Sequence, residues 1–266
     1  MSLCYFVSDL HGKIHRYEKL FHRIRDEKPS AVFFGGDLLP SALLMHSKNK
    51  DFFVDYFIPE LKKLKSELKD RYPALFVILG NDDPRIEEQK LIKAEKQGLL
   101  IYLQSKSVVF HGFTLYGYSF IPPTPFMLKD WEKYDVSRFV DPGCIHPVSG
   151  HRSVKPDYDI EYSTIKQDLE ILTENADFSK SVFLFHAPPY KTDLDRAALD
   201  GQMVDYVPVD VHVGSIAIQR FIDEKLPYLT LHGHVHESSQ ITGNWKTETG
   251  ISLAVSAAWQ GEELSL

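Results

Sequence analysis

The feature that most constrains this chain is a repeated juxtaposition: a short apolar run of β-favouring residues, followed at once by Gly, Asp, Asn or His. Leu3 to Val7 leads into Asp9-Leu10-His11-Gly12, Ala31 to Phe34 into Gly35-Gly36-Asp37, and Ala74 to Leu79 into Gly80-Asn81-Asp82-Asp83. Ser181 to Phe185 leads into His186, and Tyr228 to Leu231 into His232-Gly233-His234-Val235-His236. Compact apolar runs of this kind suit strands buried on both faces. Between several of them the apolar period changes to that of a helix: Ile14, Tyr17, Leu20, Phe21 and Ile24, then Ile165, Leu169 and Leu172, and more weakly Ile216, Phe221 and Ile222. Alternating β and α elements predict a layered α/β domain. In such sheets ligands collect beyond the carboxyl ends of the strands, so the five polar segments are expected to converge on one rim.

Other elements follow from local signals. Asp83-Pro84 reads as an N-cap with Pro in the first turn of a helix that Gly98 ends. Ser107 to Phe110 and Phe113 to Tyr118, flanking His111-Gly112, read as a β-hairpin. Asp51 to Lys69 keeps helical spacing, with a kink or split expected at Pro59. A β-rich tail follows residue 237. Two long stretches interrupt the rhythm, 121–160, rich in proline, and 187–213. The length of 266 residues fits either two small domains or one large one. With no linker or repeat in view, the expectation is one domain over 1–266 carrying those two stretches as loop insertions. Both insertions are expected to wall the substrate site, with Phe126, Trp131, Tyr134 and Tyr190 as candidate contacts.

Charge narrows the partners. Asp plus Glu outnumber Lys plus Arg by 37 to 30, a net charge of -7, so no overall basic field attracts a polyanion. Nucleic acid is an unlikely partner on this ground. The two cysteines, Cys4 and Cys144, are too few for a disulfide framework and read as packing residues in a cytoplasmic protein. No secretory signal is expected at the start of the chain. The longest stretch free of Asp, Glu, Lys and Arg, Ser107 to Leu128, contains glycines, prolines and a histidine, which is not the pattern of a membrane span.

The strand-exit residues carry the chemistry. In extended chain, residues i and i+2 point to the same side, so Asp9 with His11 and His234 with His236 would each form a two-pronged donor set. Imidazoles, carboxylates and an amide oxygen make a mixed N/O ligand set that suits Mn, Fe, Zn or Ni better than Ca. The donors exceed what one tetrahedral ion needs, and two ions about 3.5 to 4 Å apart are the natural solution.

Taken together, Asp9-Leu10-His11, Gly36-Asp37, Gly80-Asn81, His186 and Gly233-His234-Val235-His236 resemble, block by block and in order, the calcineurin-like metallophosphoesterase superfamily. The resemblance implies a four-layer α-β-β-α fold, a double β-sandwich flanked by helices. It implies that Asp9, His11 and His236 hold one metal, Asn81, His186 and His234 a second, and that Asp37 bridges them. It also implies a dinuclear phosphoesterase that hydrolyses a small phosphodiester or phosphomonoester by in-line attack of a hydroxide held between the metals.

The chain departs from the commonest pattern at one place. Many members carry a His directly after the Asn, where it stabilises the transition state or protonates the leaving oxygen. Here Asp82 stands at that place and Asp83 follows, as in Gly-Asn-x-Asp phosphodiesterase-like branches. Asp82 and Asp83 are therefore catalytic candidates alongside Asp37 and Asn81, each with a cap-or-turn alternative, and Asp83 is a candidate orienting carboxylate. His232, beside the Gly-His-x-His block, is a candidate catalytic or phosphate contact, whereas His111, His146 and His151 read as ordinary surface or loop residues. Two other functional classes compete. A nuclease would need a basic track, and only Lys62, Lys63 and Lys65 cluster; a non-catalytic scaffold of the same fold would have an eroded ligand set.

Overall fold

The computed structural model describes residues 3–40, 51–174 and 176–259. Four strands, β1 (Cys4–Val7), β2 (Ala31–Gly35), β3 (Ala74–Ile78) and β4 (Ile101–Tyr102), form a parallel sheet in that order. The second sheet is built from β5 (Lys106–Phe110), β6 (Phe113–Tyr118), β7 (Ser181–Phe185), β10 (Leu229–His232), β11 (Lys246–Thr249) and β12 (Ser252–Ser256). Its order is β11-β12-β10-β7-β6-β5, with β6, β7, β10 and β12 parallel and β5 and β11 antiparallel at the edges. A short hairpin, β8 (Met203–Val204) with β9 (Val207–Pro208), lies apart from both.

Strand alternation assigns the layers. Ala31 and Phe33 of β2, Phe76 and Ile78 of β3, Leu115 of β6, Val182 and Leu184 of β7 and Leu231 of β10 form one apolar cluster between the two sheets. The intervening residues, Val32, Phe34, Leu75, Val77, Phe183 and Phe185, belong to a second cluster that also contains the apolar faces of the helices. On the first sheet lie α1 (Ile14–Glu27), α2 (Ile58–Leu68) and α3 (Glu88–Lys96), with Phe57 edge-on to Phe34 at 5.7 Å. On the second lie α4 (Ile165–Leu172) and α5 (Ile216–Lys225), with Phe221 edge-on to Phe183 at 4.9 Å. The result is the α-β-β-α double sandwich. No helix among the described residues is long and apolar enough to cross a membrane.

Local details follow the sequence closely in some places and depart from it in others. The hairpin turn His111-Gly112 has φ of 48° and 83°, the primed geometry that matches strand twist. A capping box starts α4: Thr164 Oγ1 accepts from Gln167 N and Gln167 Oε1 accepts from Thr164 N. The split expected at Pro59 is not found: the helix runs from a π-helical turn, Phe53–Phe57, directly into α2, and Pro59 sits in the first turn of α2, where its missing N–H costs least. The tail holds β11 and β12 but begins with a short helix, α6 (Ser238–Thr242).

Three further expectations need correction. Asp83 does not cap a helix, because its carboxylate is turned inward to other backbone groups; a 3-10 turn, Arg85–Glu87, precedes α3 instead. Cys4 is exposed and Cys144 only half-buried, so neither is a packing centre. The stretch 121–160 is irregular but closely integrated: Trp131 and Tyr134 are buried, and Asp135 accepts hydrogen bonds from Ser215 Oγ and the Ile216 and Ala217 amides at the start of α5.

Phe76 is the centre of the inter-sheet layer, stacked on Phe33 at 5.2 Å and edge-on to Phe110 at 5.2 Å. Phe76→Ala should lower stability by about 3 to 5 kcal/mol in urea unfolding. A loss under about 1 kcal/mol would mean that the two sheets are not packed through it.

Candidate metal centre

Parallel pairing brings β1, β2 and β3 to one end of the first sheet and β7 and β10 to the same end of the second. The two rims are joined directly: His186 Nδ1 donates to Gly35 O at 2.7 Å, and His234 N donates to Asp9 Oδ1 at 3.1 Å. The polar strand exits thus meet at the junction of the two sheets.

Ligand-capable atoms of Asp9, His11, Asp37 and His236 all lie within 4.8 Å of one another. His236 Nε2 is 3.2 Å from Asp9 Oδ1 and 3.1 Å from His11 Nε2, while His11 Nε2 is 4.0 Å from Asp37 Oδ2. On the other side of Asp37, its Oδ1 is 3.5 Å from His186 Nε2, which is 3.0 Å from Asn81 Oδ1. The His234 and His186 rings are 5.4 Å apart, and His234 N donates to both oxygens of Asp9. All seven residues that the sequence assigns to metals are therefore gathered in one place.

The prongs are aimed by a mechanism the sequence does not announce. Asp9, His11, Asp37 and His234 have φ of 56°, 46°, 51° and 76°, the left-handed region, and all four lie beyond the ends of their strands. Left-handed turns, not the i, i+2 alternation of extended chain, direct these side chains into the site; such strain costs of order 1–3 kcal/mol per residue and gathers at functional sites. Glycine is required where the segments touch. A Cβ on Gly80 would lie 2.2 Å from Asp37 Oδ1, and one on Gly233 2.6 Å from Asp9 Oδ2.

Electrostatics show what the donor set lacks. Asp9 and Asp37 are buried side by side, and burial raises their pKa values; neighbouring histidines outweigh it and hold both below the usual carboxylate range. Burial alone would lower His186, but Asp37 and Asp9 raise it to about 10, so the two carboxylates favour positive charge at this place. Burial and the His186 charge push His234 down to about 3. The Nε2 atoms of His11 and His236, 3.1 Å apart, can share one proton at most. Buried carboxylates beside imidazole nitrogens, in a field that favours positive charge, are the arrangement a bound divalent cation completes. The residues fit the metals that the sequence implies.

The supporting residues are equally definite. Asp37 Oδ1 accepts from Asp82 N at 2.8 Å. Asp82 accepts from Asn81 Nδ2 at 3.1 Å, and its side chain, 43% exposed, lies 3.8 Å from His11 Nδ1. Burial and Asp37 raise the Asp82 carboxyl to about 6. Asp83 is fully buried, and its carboxylate accepts from the Leu38, Leu39 and Gly80 amides, locking the Asp37 loop to the Asn81 loop. His232 is not placed to touch a phosphate: it is fully buried, its Nδ1 meets Ala187 O and its Nε2 Thr230 Oγ1, both at 2.8 Å, and burial lowers it to about 4. It is a strut beneath His186 and the Gly233 turn. His111, His146 and His151 are exposed.

The structure adds residues that the sequence pattern did not single out for this role. Trp131 Nε1 donates to Asp83 O at 2.8 Å, and Asp130 accepts from Arg85 N at 2.7 Å, so the 121–160 insertion clamps the Asn81 turn. Trp131 is thus a buried brace and not a substrate wall. Arg16 is buried behind the cluster, its Nη1 3.4 Å from Asp9 O. The Tyr190 hydroxyl donates to Asp210, and Phe126 is exposed. Only Arg16 left a trace in the sequence, as a cation close to the buried face of α1.

The calcineurin-like phosphoesterase profile matches residues 4–238. The chain belongs to that family. No curated protein matches the sequence. The solved structure of TT1561 of Thermus thermophilus is similar over 97% of this chain and 89% of its own, at 17% identity and a TM-score of 0.55. Another solved structure is similar over 96% of this chain and 89% of its own, also at 17% identity, with a TM-score of 0.56. At that identity the likeness concerns the fold. Within this phosphoesterase family member, Gly80 is the sharpest test of the geometry. Gly80→Ala should leave the circular dichroism spectrum intact while lowering metal stoichiometry measured by elemental analysis; full metal content would contradict the contact.

Proposed function

We propose that the protein is a metal-dependent phosphoesterase that hydrolyses a small phosphodiester or phosphomonoester. Its cofactors are two divalent transition-metal ions, Mn or Fe in preference to Zn or Ni. The observation that carries this reading is the placement of Asp37, one oxygen 3.5 Å from His186 Nε2 and the other 4.0 Å from His11 Nε2, so that a single carboxylate faces both halves of the donor set. In this reading Asp9, His11 and His236 hold the first ion, Asn81, His186 and His234 the second, and Asp37 serves both. Bound there, the ions supply Lewis acidity to the phosphoryl oxygens and to an attacking water. The protein's own residues supply position. The bond from His186 Nδ1 to Gly35 O aims Nε2 at the cluster, and Asp83 and His232 hold the loops that carry the ligands.

Asp82 is a polar side chain at the mouth, and among the described residues the imidazole nearest to it in the ion-pair geometry, His11, is a member of the cluster itself. In this reading the leaving group draws its proton from water or from the substrate itself. The free cysteines, one exposed and one half-buried, suit a reducing cytoplasm, where we place the protein.

Two measurements test the reading. Chelation should abolish hydrolysis of a chromogenic diester and added Mn should restore it, and Asp37→Ala should lower kcat/KM by more than about 100-fold. Retained activity in Asp37→Ala alongside its loss in His236→Ala would refute the shared carboxylate. General-acid help is worth about 10² to 10⁴ in rate, so a diester of an acidic phenol should be hydrolysed faster than an alkyl ester by at least that order. Equal rates for the two would show that a proton donor is present after all.

A further inference from the structure

Two residues beyond Asp83 the chain turns away from the metal cluster, and there Arg85 lines a separate cleft of about 380 Å³, bordered by none of the seven cluster residues. At its wall stands Lys133, a charged side chain only 6% exposed. Its Nζ meets one carboxylate oxygen, Asp168 Oδ2, at 2.6 Å, and that oxygen also accepts the Tyr118 hydroxyl at 2.7 Å. Otherwise the ammonium faces rings, 4.4 Å from the Phe120 centroid and 3.9 Å from that of Tyr158. Ring faces attract a cation but offer no lone pair, so an ammonium with three N–H donors keeps donor capacity in reserve.

Two more donors line the same cleft. The Arg85 guanidinium, 5.4 Å from the Trp131 ring, reaches Asp157 at 3.2 Å, and that carboxylate is 81% exposed. The Tyr158 hydroxyl is buried beside the Arg152 guanidinium, which donates towards its oxygen, so its own O–H remains a donor. The inner acids are already engaged: Asp168 by Lys133 and Tyr118, Glu88 by the Tyr102 hydroxyl at 3.0 Å and by Arg85 Nε at 3.6 Å. What remains unused is mainly donor capacity. Ile171, 76% exposed, and Leu172 add an apolar lip.

We propose that this cleft binds a small organic anion, its carboxylate or phosphate-type head against Arg85, Lys133 and the Tyr158 hydroxyl and its apolar body against Phe120, Ile171 and Leu172. Asp157 is the chain's own stand-in for that head, and its withdrawal into solvent frees the guanidinium and removes one negative charge. The volume suits a head group carrying a single ring or a short acyl chain. The proposal does not depend on the phosphoesterase reading.

Calorimetric titration of the purified protein with benzoate and with phenylphosphonate, and with benzyl alcohol as the neutral control, tests it. At least one anion should bind at one site per chain, about tenfold or more tighter than the alcohol, and the tighter anion names the head group. Binding should survive Asp37→Ala, which disables the metal cluster. Asp157→Ala, a surface change, should tighten it roughly 2- to 5-fold, and Arg85→Gln should weaken it about tenfold. No saturable binding of either anion, loss of binding in Asp37→Ala, or indifference to both Asp157→Ala and Arg85→Gln would overturn the proposal.

Discussion

Asp9 and Asp37 are two carboxylates buried beside one another where the sheets meet, each raising the energy of the other in its ionised form. Burying a charge is costly unless it is paired and hydrogen-bonded, and here the compensation comes from several parts of the chain. Both oxygens of Asp9 accept from His234 N, Asp37 accepts from Asp82 N, and the His186 ring lies close to Asp37. Each of those partners sits just past a different strand. The site can therefore exist only if β1, β2 and β3 end level with β7 and β10, and the parallel registers of the two sheets provide that condition.

The same requirement explains why so much backbone around the site is strained and so much side chain is devoted to holding it. Four of the seven cluster residues sit at positive φ without being glycine. Such conformations persist where the surroundings over-determine them. Asp83 binds three amides across two loops, Trp131 and Asp130 hold the turn that carries Asn81, and Ser215 N donates to Pro188 O close to His186. The insertion at 121–160 therefore serves as a brace: its buried Asp135 caps α5, and its Trp131 reaches the metal-ligand turn. Long irregular segments are often substrate loops, but this one carries a row of nearly inaccessible charged residues, Lys129 to Lys133, that only a folded interior would retain.

How legible this was in the sequence depends on the reach of the interaction concerned. The strands that lead into the cluster and the hairpin at His111-Gly112 are local, written in apolar period and turn chemistry, and their positions agree within a residue or two. The clustered residues were legible for a chemical reason: few residue types offer nitrogen or oxygen to a transition metal, and they stand at strand ends beside glycines where a Cβ would obstruct the approach of the segments. His232 shows the limit of that logic. It has the right residue type and the right neighbourhood, yet Thr230 and Ala187 occupy both ring nitrogens, which no spacing rule reveals.

Trp131 shows the complementary limit. An aromatic residue in a proline-rich insertion is, from sequence alone, equally suited to cover a substrate or to brace a turn, because both uses need a large apolar body with a polar edge. The choice is made by the carbonyl of Asp83, 48 residues away in the chain, and by the burial that the packing around it creates. Asp83 itself was read as a helix cap because Pro84 follows it, yet the amides it satisfies are those of Leu38, Leu39 and Gly80. For Asp83 the hydrogen-bonding chemistry was read correctly and for Trp131 only the aromatic body, and in neither case could the partner be read, since it is supplied by the meeting of segments distant in sequence. Candidate metal ligands escape this uncertainty because the partner their chemistry calls for is external and of one kind; the residues that orient them do not.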